Sequence, residues 1–154
     1  DGSRQHFLAR RGMRLELDQG VSLDILFPDQ DNIGWENNTA SIVTRLIYGE
    51  TAFLLTGDSP IKIEKYLISL DALGLQADVL KAGHHGSRTS TAPEYAATVH
   101  PRYAIISAGQ NNRYGHPHQE VLDILNKVGT TILRTDELGT IIFRSDGATL
   151  TIGD

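Results

Sequence analysis

Apolar and polar residues alternate in two short runs near the start of the chain, MRLEL (13–17) and SLDILF (22–27). A two-residue period is that of a strand with one buried face. Asp18, Gln19 and Gly20 between the runs are turn formers, so the pair predicts a hairpin. Residues 28–40 (PDQDNIGWENNTA) break the alternation with Asp, Asn, Gly and Pro, over a length that in compact domains is usually functional. SIVTRLIY (41–48) and TAFLLTG (51–57) follow, joined by Gly49 and Glu50, which predicts a second hairpin. TAFLLTG is apolar nearly throughout, which predicts a strand buried on both faces.

The period then lengthens. Ser59 before Pro60 predicts a helix capped by the serine side chain. Ile63, Tyr66, Leu67, Leu70 and Leu73 recur at helical spacing as its inner stripe, and Gly74 predicts its stop. ADVLKAG (77–83) and YAIISA (103–108) read as buried strands with a short helix at 92–99 between them. Residues 119–128 predict an amphipathic helix with Val121, Leu122, Leu125 and Val128 inward. TTILRT, GTIIFRS and ATLTIG predict three closing strands, with turns at 136–139 and 146–147. Helices alternating with strands, flanked by hairpins, predict an α/β fold with a mixed sheet. Residues 1–12 are polar and predict a loosely held lead-in to one domain.

Composition narrows the chemistry. The chain's 154 residues suit a single domain. The absence of Cys excludes disulfides, thiolate catalysis and Cys-ligated zinc. Fourteen Lys and Arg against 19 Asp and Glu leave a net charge of −5, which argues against coating DNA by bulk charge. No apolar run approaches the roughly 20 residues of a membrane-spanning helix.

Four polar segments follow or precede buried strands, where α/β sheets gather ligands. Asp58, after LLTG, either charges a helix N-terminus or points into a site at the sheet edge. His84 and His85, between Gly83 and Gly86, form a pair whose flanking glycines permit close approach. Adjacent side chains diverge, so one of the two would coordinate while the other faces substrate. In NNRYGHPH (111–118), His116 either enters the same site or belongs to a polar helix entrance. Asn37 to Ser41 either organise a turn or contribute to the site. Asp and His at separate strand ends suit zinc or manganese and hence metal-assisted hydrolysis.

The order NNTASIV, FLLTGD, LKAGHHGSRTST, NNRYGHP, RTDELGTI resembles the metallo-β-lactamase-like domain at the C-terminal end of the ComEC family, the DNA-uptake channel of natural competence. The resemblance covers roughly residues 20–154. It implies a four-layer αβ/βα sandwich with two divalent metal ions, zinc or manganese. It implies that Asp58 bridges the metals and that His85, or else His84, is a ligand. It further implies that His84 and His116 serve the substrate phosphate and that Asn38 stands where many relatives carry another metal-binding His. Ser87, Arg88 and Arg113 lie in or beside the same loops, and Ser87 and Arg113 are candidate substrate contacts.

The family's HxHxDH motif is missing, and the only earlier histidine is His6. The motif order therefore predicts the second half of a larger domain. Alone it is expected to hold one metal or none, to hydrolyse little, and to expose a face through which it dimerises. The implied partners are single-stranded DNA and the membrane-channel portion of the same polypeptide, with the domain on the extracytoplasmic side. The implied activity is a phosphodiesterase or nuclease that degrades the non-imported strand. Two alternatives stand beside it: a hydrolase of small phosphodiesters such as choline-phosphate esters, and a non-catalytic scaffold docked on a channel.

Overall fold

A computed structural model describes residues 6–153. Nine strands and four helices follow in the order β1 (Arg14–Asp18), β2 (Val21–Phe27), β3 (Val43–Tyr48), β4 (Thr51–Leu55), α1 (Ile61–Asp71), β5 (Val79–Lys81), α2 (Pro93–Val99), β6 (Tyr103–Ile106), α3 (Gln119–Lys127), β7 (Thr131–Arg134), α4 (Thr135–Leu138), β8 (Phe143–Ser145) and β9 (Leu150–Ile152). Strands β1 to β7 form one sheet in sequence order. Hairpins make β1 to β4 antiparallel, and helical crossovers make β4 to β7 parallel. The expected mixed α/β sheet is present.

The core lies between one face of this sheet and α1, α2 and α3. Leu54, Leu80, Ala104 and Ile106 meet Ile63, Leu67, Tyr95, Val121 and Leu125 there. Leu54 and Leu125 are wholly buried, each such side chain contributing about 1.5–3 kcal/mol. On the opposite face, Phe143 packs edge-on against Phe53 and Tyr103, with ring centroids 5.8 and 5.6 Å away. The β8–β9 turn is fastened to the β3–β4 turn by Glu50 N–H to the Gly147 carbonyl (2.6 Å) and by the Thr51 and Ser145 hydroxyls (2.7 Å).

Several expectations are corrected. β4 is not buried on both faces: the β8–β9 hairpin covers Phe53 but leaves Leu55 38% exposed. β1 is exposed along most of its length rather than half-buried, because it is an edge strand with only β2 beside it. Ser59 does not cap α1. Pro60 takes that position and the Ser59 hydroxyl is buried without a partner among the described residues. The inner stripe of α1 is Ile63, Glu64 and Leu67, whereas Tyr66, Leu70 and Leu73 are exposed. Leu73 falls beyond the helix, in a 3-10 turn (Leu73–Leu75), where the Asp71 carboxylate accepts the Gly74 N–H. The turn expected at 136–139 is largely the single-turn helix α4, flanked by ion pairs of Arg134 with Asp136 and Glu137.

Residues 1–5 of the expected lead-in lie outside the described residues. Arg11 and Gly12 are not loose: their N–H groups donate to the carbonyls of Pro28 and Ile25. Among the described residues no helix is long and apolar enough to cross a membrane.

Candidate functional site

The parallel strands β4, β5 and β6 all deliver their C-terminal ends to one edge of the sheet, so the loops that follow them meet. The first loop carries Asp58. Gly57 precedes it at φ +56°, and a side chain there would crowd Ser41, 3.1 Å from its Cβ position. That close approach lets the Ser41 hydroxyl accept the Asp58 N–H at 3.1 Å. The second loop is a 3-10 turn (Gly83–Gly86), tied to the first by His84 N–H donating to the Gly57 carbonyl at 3.1 Å. The third runs from Ser107 to α3. Its His118 N–H donates to the Gly86 carbonyl at 2.9 Å.

His84 and His85 both occupy the left-handed region, at φ +47° and +59°. Their rings diverge as the sequence predicts. His84 Nδ1 faces the Thr89 hydroxyl at 3.2 Å, while His85 Nδ1 lies 2.7 Å from the Ser107 carbonyl. A carbonyl only accepts, so Nδ1 of His85 carries a proton, and the neutral tautomer that keeps this bond has its lone pair on Nε2. That Nε2 stands 3.7 Å from Asp58 Oδ1, both side chains partly exposed. Two electron-pair donors face one another across a gap.

His116 completes the cluster. Its ring lies 5.7 Å from His84, 6.5 Å from His85 and 4.9 Å from His118, centroid to centroid. Asn112 frames its loop by accepting the His116 N–H and donating to the His116 carbonyl. Burial lowers the His116 pKa below the usual imidazole value. The neighbouring histidines push the same way, with Asp58 opposing, so the ring stays neutral further into acid. A cavity of about 400 Å³ opens here, lined by His85, Ser107, Asn112, Tyr114 and His116. A larger one of about 620 Å³ lies between α2 and α3, lined by Pro93, Ala97, Ile124 and Val128 with Glu94, Asp123 and Lys127, and includes none of the histidines.

The other predicted residues are placed differently. Ser87 is buried and its hydroxyl bonds Thr89 within the loop, so it supports the loop rather than facing a ligand. Arg113 leans on Tyr114, its guanidinium 4.8 Å over the ring and bonded to the phenol oxygen. Arg88 contributes its backbone N–H to His118 Nδ1. Asn38 sits in a turn organised by Glu36, and its side chain makes no hydrogen bond among the described residues. From that segment it is Ser41 that reaches Asp58.

Sequence reasoning missed Lys81 and Glu64. Lys81, at the end of β5, lies near Asp58; burial lowers its pKa and Asp58 opposes that. The alternation of VLK is its only signal. Glu64 is discussed below.

A tetrahedral cation with bonds of about 2.0–2.2 Å places adjacent ligand atoms roughly 3.3–3.5 Å apart, near the Asp58–His85 separation. These two donors fit one edge of such a site. Among the described residues, no group of three or more His, Asp or Glu is placed to hold a metal ion.

No protein-family model matches the chain. It is 40% identical over 135 residues to ComE operon protein 3 of Bacillus subtilis, covering 88% of this chain and 17% of the relative. It is 38% identical to Competence protein ComA of Neisseria gonorrhoeae, covering 80% of this chain and 18% of the relative. It is 36% identical to Recombination protein 2 of Haemophilus influenzae, covering 80% and 15%. The chain thus spans less than a fifth of the length of these curated relatives. Over most of its length, then, the chain is a homologue of the competence proteins of the ComEC family.

Proposed function

We propose that this chain provides one half of a metal-dependent phosphodiesterase centre in a DNA-uptake protein. The facing pair of Asp58 Oδ1 and His85 Nε2, 3.7 Å apart, carries the reading. The remaining ligands come from outside these 154 residues, within a metallo-β-lactamase-like domain that this chain completes. A divalent cation, zinc or manganese, when bound lowers the pKa of water and polarises a phosphoryl oxygen.

The chain's own groups do the rest. Ser107 holds the His85 ring in the tautomer that presents Nε2. Ser41 fixes the backbone of Asp58. His116, kept neutral by burial, and His84 beside it offer ring N–H groups to the non-bridging oxygens of a phosphodiester. The substrate is single-stranded DNA, and the cavity beside His85 and Tyr114 receives a nucleotide. The acidic balance of the chain suits local capture at this centre.

A second reading, a docking scaffold without catalysis, is favoured by one observation: only two donors face each other among the described residues. The full-length protein separates the two. Given manganese, it should degrade single-stranded DNA, and Asp58→Asn should abolish this while leaving the fold intact. Turnover of a small chromogenic phosphodiester with DNA left intact would shift the substrate to small esters. DNA degradation undiminished in Asp58→Asn would refute the assignment. No turnover of either substrate would support the scaffold.

A further inference from the structure

Glu64 stands in the first turn of α1, is buried together with Ile63 and Leu67, and is 1% exposed. A buried carboxylate needs donors, and here both oxygens have one. Oε1 accepts the Thr91 N–H at 2.6 Å and Oε2 the Ala92 N–H at 2.8 Å. Those amides belong to the end of the segment that begins at Gly83 and carries His84 and His85. The segment is strained: His84, His85 and the β-branched Thr91 all have positive φ, Thr91 at +64°. Such a conformation is costly for a residue with a Cβ and persists only when its surroundings over-determine it.

Beside the bonds of His85, Gly86 and Arg88 to the third loop, further fastenings of the segment run to the loop of Asp58 and the start of α1. The Ser90 hydroxyl donates to the Ser59 carbonyl at 2.7 Å, and Ile61 N–H donates to the Thr89 carbonyl at 2.9 Å. Glu64 is the one ionisable group among these fastenings. Substituting either of its oxygens by a donor sets N–H against N–H in a buried site.

We propose that Glu64 is the positioning residue of the histidine loop: by taking the Thr91 and Ala92 amides it locks residues 83–92 onto α1 and fixes His85 relative to Asp58. The proposal rests on the reading of Asp58 and His85 as the working pair. It adds a residue that touches neither substrate nor metal and that acts through the loop.

The test is NMR of the full chain in the absence of metal, comparing Glu64→Gln with a control, Glu94→Gln, whose carboxylate pairs with Lys65 at the surface. Glu64→Gln should speed amide exchange at Thr91 and Ala92 by roughly ten-fold or more, as losing one charged buried acceptor implies. It should also displace the His85 Nδ1–H signal that reports the bond to Ser107, which a general loss of stability would leave in place. Glu94→Gln should change neither. A folded Glu64→Gln protein with both signals unmoved overturns the proposal. If that variant does not fold, the wild-type chain decides: the Thr91 and Ala92 amide shifts should follow the Glu64 carboxyl carbon through one common titration, and amides indifferent to it overturn the proposal. Failure of the functional reading looks different. There Asp58→Asn retains DNA degradation in the full-length protein whatever Glu64 does to the loop.

Discussion

The Nδ1 of His85 lies 2.7 Å from the carbonyl oxygen of Ser107, a bond that joins the β5 loop to the end of β6. It determines which ring nitrogen is free. The neutral His85 should therefore be the Nδ1–H tautomer. Nitrogen-15 spectra of the ring should give a pyrrole-type resonance at Nδ1 and a pyridine-type resonance at Nε2. The reverse pattern would remove Nε2 as the donor facing Asp58, and with it the proposed ligand pair.

Gly86 is where the second and third loops touch. It sits at φ +80°, and a Cβ there would stand 2.6 Å from Pro117 Cβ and 3.3 Å from the Ile106 side chain. Gly86→Ala should cost about 2–4 kcal/mol, from left-handed strain plus overpacking. Denaturant unfolding measures it. A loss below about 1 kcal/mol would mean that the loops separate easily, and the His84–His116 proximity would then not be a fixed property of the fold.

Much of this was legible in the sequence. Alternation finds β1 and β2, runs of apolar residues find β5 and β6, and glycine-flanked polar residues after those runs mark the loops that converge. The failures share a cause. Periodicity registers apolar residues only, so it places Tyr66, Leu70 and Leu73 in the inner stripe of α1 beside Ile63 and Leu67 and gives no signal for Glu64. Its burial depends on amides delivered by residues 91 and 92, a tertiary event with no local signature. Ser59 looked like a cap because Pro follows it, but the Ser90 hydroxyl claims its carbonyl and the helix starts later. Asn38 and Ser41 were indistinguishable as loop polars. Only the approach of Gly57 selects Ser41 as the one that reaches Asp58.

Tyr95, on α2 near Glu64, is 1% exposed and its hydroxyl has no hydrogen-bond partner among the described residues. Burial raises its pKa well above the usual phenol value, and Glu64 adds to this. An unpaired buried hydroxyl costs about 1–3 kcal/mol, while the ring packs without it. Tyr95→Phe should therefore leave stability unchanged or raise it by up to about 2 kcal/mol, read as a higher denaturant midpoint at constant slope. A loss of more than about 1 kcal/mol would show that the hydroxyl is bonded in solution, with the Glu64 carboxylate as the nearest candidate.

Glu64 itself makes stability depend on pH. Burial pushes its pKa up from 4.5 to about 7, the Ala92 and Thr91 amides pull it down, and the Glu94 charge pushes it further up. Around it, α2 presents Glu94 and the Tyr95 phenol as the groups that couple to it. Between pH 4.5 and 7 the folded chain holds a proton at this site that the unfolded chain has released. Stability from this group is thus greatest below the unfolded value, falls as pH rises through that window, and levels off above 7. The full swing is at most about 3 kcal/mol, and from pH 5 to pH 8 it is about 2–3 kcal/mol. Glu64→Gln has no such titration. Whatever the constant offset from its lost acceptor, the stability of wild type relative to Glu64→Gln should drop by that amount between pH 5 and pH 8. All other titrating groups are common to both proteins and cancel in the difference. Denaturant titrations at the two pH values give the number directly. A difference that stays constant between these pH values would mean that Glu64 is ionised throughout the window, its carboxyl held at or below its ordinary value by the two amides.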